Sequence, residues 1–199
     1  MAATPWGYDV ELRSMPGIPP LISLGDFHNL TGGAFSQDDL IEATIAGVSA
    51  RIRSFCGWHI WPDLECRATL DGSRFLPLPA NHVLSVSSVT VLGRELDPCE
   101  YEWGRDGLVR LRVPAPDAWS SVEVRYVAGH EGVACPEDLA ALVAHRVVHN
   151  VAMPFGVQQE TVGSVSKSYV TSMAIEAGGV NLSVRDRSAL APYRIWEAT

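Results

Sequence analysis

Residues 40–62, LIEATIAGVSARIRSFCGWHIWP, decide the fold because they hold the clearest helix of the chain and the point at which it stops. Apolar residues recur there at steps of three and four, which places them on one face of a helix. We predict a helix over residues 36–56, with Ser36 as its cap, two acids in the first turn and Gly57 as the stop. The apolar stripe consists of Ile41, Ile45, Val48, Ile52 and Phe55.

The segment before this helix is rich in proline and glycine. Four prolines lie between Pro5 and Pro20, and Gly32 and Gly33 follow. We therefore predict an extended N-terminal arm over residues 1–35, with one helical turn around Gly25 to Leu30.

After the helix the hydrophobic period changes to strict alternation, from residue 65 to residue 127. In LVRLRV, Arg110 and Arg112 alternate with Val109 and Leu111, and SVEVRYV has the same pattern. Turn residues such as DGS and PANH separate these runs. The pattern is typical of half-buried antiparallel strands, and we predict about five of them in a small sheet or barrel.

A second strong helix signal begins at Pro136, which is followed by Glu137 and Asp138. Proline at the first helical position and acids behind it favour a helix start, and Pro154 ends the helix. Residues 155–183 are rich in glycine and serine and predict an arm or a loose hairpin. A short last helix begins near Ser183 and is limited by Pro192.

The predicted fold class is therefore α+β, a small bundle of two to three main helices with an inserted antiparallel sheet or small barrel and extended terminal arms. The predicted division of the chain is an N-terminal arm (1–35), a helical body (36–64 and 128–154), a β insertion (65–127) and a C-terminal arm with a short terminal helix (155–199).

Composition restricts the function classes. The chain has 199 residues, 47% of them hydrophobic, with 15 basic and 23 acidic side chains and a formal charge of -8. This balance argues against non-specific binding of nucleic acid, which requires cations to neutralise phosphates. No run reaches the roughly 18 apolar residues of a membrane span. MAATPWGYDVELRS lacks the features of a secretory signal, so we expect the four cysteines to stay reduced.

Three patterns resemble metal or phosphate sites, and each has a simpler interpretation. His145 and His149 share a helix face, but Arg146 occupies the place where a metalloprotease has its glutamate. The four cysteines form no CxxC pair, so we interpret them as buried thiols, and the segment around Lys167 lacks the glycine spacing of a phosphate loop. We therefore assign no catalytic residue, no metal ligand and no cofactor.

Trp58 and Trp61 lie just past the predicted helix end. They could form a stacking platform for nucleic acid or a hydrophobic wedge between helix and sheet. Because no basic residue lies between Gly57 and Leu64, we favour the wedge.

Residues 40–62 resemble the signature of head-to-tail connector (adaptor, or head-completion) proteins of long-tailed bacteriophages, in which an early helix ends in an aromatic-Cys-Gly-Trp-His-Ile turn. The resemblance continues through three further stretches and covers roughly residues 20–195. These are RFLPLPANHVLSVSSVTVLGREL, VEVRYVAGHEGVACPEDLAALVAHRVV and ETVGSVSKSYV.

The resemblance implies a ring, typically of twelve copies, under the portal vertex of the capsid. Such a ring joins the portal protein to the next connector or tail component and lines the channel through which double-stranded DNA passes without specific binding. It would be located in the virion neck after assembly in the bacterial cytoplasm, with no membrane partner. Terminal arms attach members of the family to their neighbours.

The candidate partner contacts are residues of the aromatic signature and of the C-terminal arm. Residues 164–172 alternate in a way that suits addition of a strand to a partner's sheet. The named candidates are Trp58, Trp61, Val165, Lys167 and Tyr169.

Two alternatives come from other function classes. A stand-alone nucleic-acid-binding module would use the β insertion as a barrel, and its affinity for oligonucleotides would depend on salt. A metal-dependent hydrolase would use His145 and His149, and would contain zinc.

Overall fold

The computed structural model describes residues 17–132, 134–152 and 182–195, and the backbone alone of residues 10–12, 159–162 and 165–168. The chain forms two compact units. We call them the β unit (Met1–Pro19, Ile52–Pro136 and Leu190–Thr199) and the helical unit (Pro20–Arg51 and Glu137–Ala189). The predicted α+β class is confirmed. None of the helices in the described ranges combines the length and the apolar character that a membrane span requires.

The strands of the β unit form two open antiparallel sheets, so the barrel alternative is wrong. One sheet has the order β1-β2-β8-β4-β5 and the other the order β3-β7-β6. The bounds are β1 Val10–Leu12, β2 Leu64–Leu70, β3 Phe75–Pro77, β4 Val83–Val91, β5 Arg94–Glu95, β6 Tyr101–Trp103, β7 Leu108–Leu111 and β8 Val122–Ala128.

Side-chain alternation assigns one face of each sheet to the interior. In β7, Val109 and Leu111 are buried while Leu108 and Arg110 are exposed, as the alternating sequence predicts. In β8, Val122, Val124 and Tyr126 are buried. These residues form the core of the β unit, and the polar rows on the opposite faces remain in contact with solvent.

Two strands lie where the sequence gives no strand signal. β6 is a three-residue strand beside β7, and β1 lies within the predicted arm, where it pairs with β2 through Val10 and Ala68. Neither segment is long enough to show a period of two. Both depend on pairing with residues distant in sequence, which local pattern does not report.

The helices are α1 Leu24–Thr31, α2 Asp38–Cys56, α3 Glu137–Ala152 and α4 Val184–Leu190. Most of their apolar stripes is buried as predicted, including Ile41, Ile45 and Val48 in α2 and Val143 in α3, but Phe55 at the end of the α2 stripe is half-buried. Because α2 begins at Asp38, residue 37 occupies the cap position, and the prediction of Ser36 as the cap is wrong. The last residues of α2, Ile52–Cys56, belong to the β unit.

The predicted helical turn around Gly25 to Leu30 is present, but it is longer than predicted, because α1 has eight residues. Ser23 and Asp26 form a capping box at its start, in which each side chain accepts from the other residue's backbone N–H. Gly32 ends the helix with a left-handed backbone (φ 64°). Both terminal signals stand in the sequence, and together they stabilise a helix this short.

The predicted last helix is confirmed as α4, which Ser183 caps together with Asp186. Arg146 of α3 donates to the Ser183 hydroxyl and forms an ion pair with Asp186, whose side chain is 9% exposed. The segment between α3 and α4 contains a two-stranded antiparallel sheet of β9 Gln159–Val162 and β10 Val165–Ser168.

Candidate functional site

The segment that follows α2, residues 57–62, forms a tight turn that we call the aromatic turn. Gly57 and Ile60 both have left-handed backbones, with φ angles of 84° and 68°. Glycine adopts this conformation freely, whereas a β-branched residue does so only under strain. The Ile60 side chain is nevertheless fully buried, so the interior of the β unit holds this strained backbone in place.

Arg53, in the last turn of α2, ties the aromatic turn to the helix. Its Nε–H donates to the carbonyl oxygen of His59 and its terminal nitrogen to that of Trp61, each over 2.8 Å between the heavy atoms. Arg53 is 6% exposed, and burial lowers the pKa of its guanidinium to about 10. The group is still charged at neutral pH, so both hydrogen bonds are of the stronger, charge-assisted kind.

His59 anchors the aromatic turn to the end of β8. Its Nε2 lies 2.7 Å from the carbonyl oxygen of Ala128, and because a carbonyl only accepts, this nitrogen carries the proton. Burial lowers the pKa of His59 to about 4, with the Arg53 charge acting in the same direction, so the ring is neutral at pH 7. A second hydrogen bond joins the same two segments: the backbone N–H of His130 donates to the carbonyl oxygen of Ile60.

The aromatic turn receives a segment from the far end of the chain, residues 190–195, which we call the C-terminal segment. The Trp58 indole N–H donates to the carbonyl oxygen of Tyr193, and the N–H of Ile195 donates to that of Cys56. Asn81 donates to the carbonyl oxygens of Pro192 and Arg194, over 2.9 Å in each case.

The rings of His82, His130 and Trp58 form a cluster with Tyr193 of the C-terminal segment. The rings of His82 and His130 stack with 4.7 Å between their centroids, and Tyr193 meets His130 edge-on at 5.3 Å. The Trp58 ring is tilted against His130 at 6.1 Å. The whole arrangement fastens backbone segments to one another, because each hydrogen bond described here has a main-chain partner.

Of the predicted partner contacts, the two tryptophans have different settings. Trp58 is 1% exposed, so its ring is enclosed by the chain's own residues and is not available to a partner in this structure. Trp61 is half-buried and its indole N–H lies 3.3 Å from the carbonyl oxygen of Gly132. The burial of Trp58 agrees with the wedge interpretation.

The remaining predicted contacts belong to the C-terminal arm. Val165 and Lys167 lie in β10, of which only the backbone is described, and Tyr169 lies outside the described residues. Addition of this segment to a partner's sheet stays a prediction. Gly163 and Ser164, the start of the rejected phosphate-loop pattern, also lie outside the described residues.

The histidine and cysteine patterns do not converge. His145 and His149 are both exposed on α3, and no cluster of three or more potential metal ligands occurs in the described part of the chain. The four cysteines are free thiols. Three are buried, as interpreted from the sequence, but Cys99 is exposed, so the buried-thiol interpretation is wrong for that residue. Burial raises the pKa of the Cys56 and Cys66 thiols to about 12, so both stay protonated at neutral pH.

Sequence reasoning did not single out Arg53, Asn81, His130 or Tyr193. Arg53 lies off the apolar stripe of α2 and therefore has the pattern of a solvent-facing residue. One signal for Arg53 was present in the sequence. It lies four residues before Gly57, the glycine that ends the helix, so its long side chain can reach the backbone that follows the turn. Asn81 and Tyr193 carry no such signal, because they meet only in the folded chain.

Comparison of the chain with known protein families gives no match, and comparison with curated proteins gives none either.

Proposed function

We propose that this chain is a structural virion protein, the head-to-tail adaptor of a long-tailed bacteriophage. In this proposal a ring of identical copies joins the capsid portal to the next connector or tail component. The observation that carries it is the order of elements. A long helix ends in the Cys-Gly-Trp-His-Ile turn, an antiparallel β unit follows, and a proline-initiated helix comes next.

The role of the aromatic turn supports the proposal. Arg53, Trp58 and His59, which belong to the stretch that carries the family resemblance, are buried and hold the turn together. A family that retains such a turn would retain it for folding. The resemblance therefore rests on buried residues that hold the fold together, as is expected of a signature that is structural.

The charge of the chain suits a channel for DNA. The net charge is -8, and Asp38, Asp39 and Glu42 at the start of α2 are all exposed. A wall of this sign repels phosphates, so DNA slides past it without adhering. We propose that an acidic face such as this one lines the lumen.

The ring can be tested with the purified full-length chain, alone and mixed with the portal protein of the same virus. Light scattering gives the mass, and negative-stain electron microscopy gives the shape. We expect a ring on the portal's lower face. A chain that remains monomeric and unbound in the presence of the portal protein would overturn the proposal.

Binding of a labelled DNA duplex, measured at about 50 mM and 200 mM salt, separates the adaptor from a nucleic-acid-binding module. The adaptor has no measurable affinity at either concentration. A submicromolar affinity that falls steeply with salt would favour the module instead.

A further inference from the structure

Two loops of the β unit expose large apolar side chains next to each other. Leu92, at the tip of the β4–β5 hairpin, is 69% exposed, and Trp119, in the loop before β8, is 87% exposed. The backbone N–H of Leu92 donates to the carbonyl oxygen of Ser121 over 2.8 Å, which joins the two loops. We call them together the Leu92–Trp119 surface.

The loop that carries Trp119 is firmly supported from below. The N–H of Ser120 donates to the Asp71 carboxylate over 2.8 Å, and the N–H of Gly72 donates to the carbonyl oxygen of Ala118. A Cβ at Gly72 would collide with the carbonyl oxygen of Pro116. Trp119 is thus exposed to solvent on a loop that hydrogen bonds hold in place.

Local energetics disfavour a leucine at position 92 of this surface. Leu92 and Gly93 have φ angles of 50° and 82°, the left-handed pair of a tight hairpin turn in which asparagine or aspartate normally occupies the first position. Ser120, beside Trp119, is also left-handed (φ 49°). An apolar side chain at a strained and exposed position gives the isolated fold nothing, which points to a role in binding.

The surface borders a cavity of about 390 Å³, whose lining combines apolar walls with hydroxyl groups. Glu123 also lines it and forms ion pairs with Arg67 and Arg125 at 3.2 Å and 3.1 Å, so its negative charge is more than balanced. Two exposed acids belong to the loops that hold Trp119: Asp117, two residues before it, and Asp71, whose carboxylate accepts from the N–H of Ser120. The lining residues are Thr69, Thr90, Leu92, Gly93, Trp119, Ser120, Ser121 and Glu123.

The complementary chemistry occurs in the helical unit, at the start of α4. Val184 is 82% exposed, and Arg185 and Arg187 beside it are exposed as well. The one acid of this turn, Asp186, is buried and paired with Arg146. The chain therefore has an apolar surface with two exposed acids near Trp119 and, on its other unit, an exposed apolar residue followed by two exposed arginines.

We propose that the Leu92–Trp119 surface of one copy receives Val184 and Arg185 of a second copy. Val184 packs against Trp119 and Leu92, and Arg185 meets Asp117. Two different surfaces pair in such a contact, so it is heterologous and can close into a ring. The inference rests on the proposed function, because it names the subunit contact of the proposed ring.

Reversal of single charges tests the contact directly. Self-association of the full-length chain is measured by analytical ultracentrifugation at low salt, with and without the portal protein. Asp117→Arg and Arg185→Asp should each weaken association by about tenfold, and the double variant should restore it. Glu131→Arg, an exposed acid beyond the opposite end of β8, serves as the matched control and should have no effect.

A second pair of variants removes the apolar contact without touching charge. Trp119→Ser and Leu92→Asn should abolish association while the circular dichroism spectrum stays that of the wild type and melting stays cooperative. If wild type associates and none of these variants alters it, the surface assignment is overturned and the ring stands. If rings form but binding to the portal is lost, the occupant is the portal and the assignment is likewise overturned. If wild type never associates, even with the portal protein, the proposed function fails as well.

Discussion

In the described part of the β unit, two apolar residues have left-handed backbones, Ile60 and Leu92, and their settings are opposite. Ile60 has φ 68° and is fully buried within the aromatic turn. Leu92 has φ 50° and is 69% exposed at a hairpin tip. Each backbone costs of the order of 1–3 kcal/mol relative to an unstrained one.

The difference lies in what offsets that cost. At Ile60 the fold supplies the compensation, because the side chain is buried and Arg53 holds the carbonyl groups on either side of it. At Leu92 the described part of the chain leaves most of the side chain exposed. Strain of the first kind belongs to folding, and strain of the second kind is what the proposed contact with a second copy would offset.

The largest expected effect is that of Arg53→Met, which removes the compensation at the aromatic turn. Methionine fills a similar volume but removes two charge-assisted donors: the Trp61 carbonyl oxygen loses its bond to Arg53, and the His59 carbonyl oxygen keeps only the backbone N–H of Trp61. We expect the free energy of unfolding to fall by about 3–4 kcal/mol, measured by urea denaturation. Arg51→Met, at an exposed position on the same helix, is the control and should change it by less than about 0.5 kcal/mol. Equal effects of the two substitutions would contradict the role given to Arg53.

The second prediction concerns pH and His59. The pKa of His59 is about 4 in the folded chain against 6.5 unfolded, so the unfolded state binds the proton first. The stability that the neutral ring contributes is complete above pH 6.5 and is lost as pH falls from 6.5 to 4, by about 3 kcal/mol in all. Urea denaturation at several pH values measures the loss. His59→Gln removes this titration and leaves the other histidines unchanged. The loss of unfolding free energy between pH 6.5 and pH 4 should therefore be about 3 kcal/mol smaller in the variant than in the wild type. A slope identical to wild type would show that His59 is not buried as a neutral ring.

The third prediction concerns the attachment of the C-terminal segment. Asn81→Leu keeps the side-chain volume but removes both donors to Pro192 and Arg194. We expect a loss of about 1–2 kcal/mol in unfolding free energy and faster hydrogen exchange at the Ile195 amide, which bonds to Cys56. Asn29→Leu, exposed on α1, should leave both quantities unchanged. Unaltered exchange at Ile195 in Asn81→Leu would mean that Asn81 does not hold the segment.

Local pattern explains the parts of the fold that the sequence predicts well. The stripe from Ile41 to Ile52, the glycine after Cys56 and the proline before Glu137 act within a few residues, and the corresponding helices are present. The alternation through Val109 and Leu111 likewise predicts β7. The capping box at Ser23 and Asp26 was equally local, so the full extent of α1 could have been predicted.

The candidate site depends instead on contacts between distant residues. Asn81 and Pro192 are 111 residues apart, and His59 and Ala128 are 69 apart. No periodicity reports such pairs, because they form only when the chain folds back. For the same reason Trp119 and Leu92 could not be recognised as neighbours, although each is a conspicuous residue in a turn.

The smallest expected effect tests the exposed member of the opening comparison. Leu92→Asn places at the left-handed position a residue that tolerates it, and the lost leucine contributes little because its side chain is in solvent. We expect the unfolding free energy of the unassociated chain to rise by about 0.5–1 kcal/mol, measured by urea denaturation at high dilution. Leu92→Ala also removes the leucine side chain, but alanine does not tolerate the left-handed backbone as asparagine does. The unfolding free energy of this variant should stay close to that of the wild type. If Leu92→Asn destabilised the chain, the leucine would contribute to its own fold, as Ile60 does, and the distinction between the two turns would fail. If Leu92→Asn instead makes the chain more stable and weakens its self-association, the substitution has opposite effects on folding and on binding. That combination is expected of a residue whose side chain serves a partner.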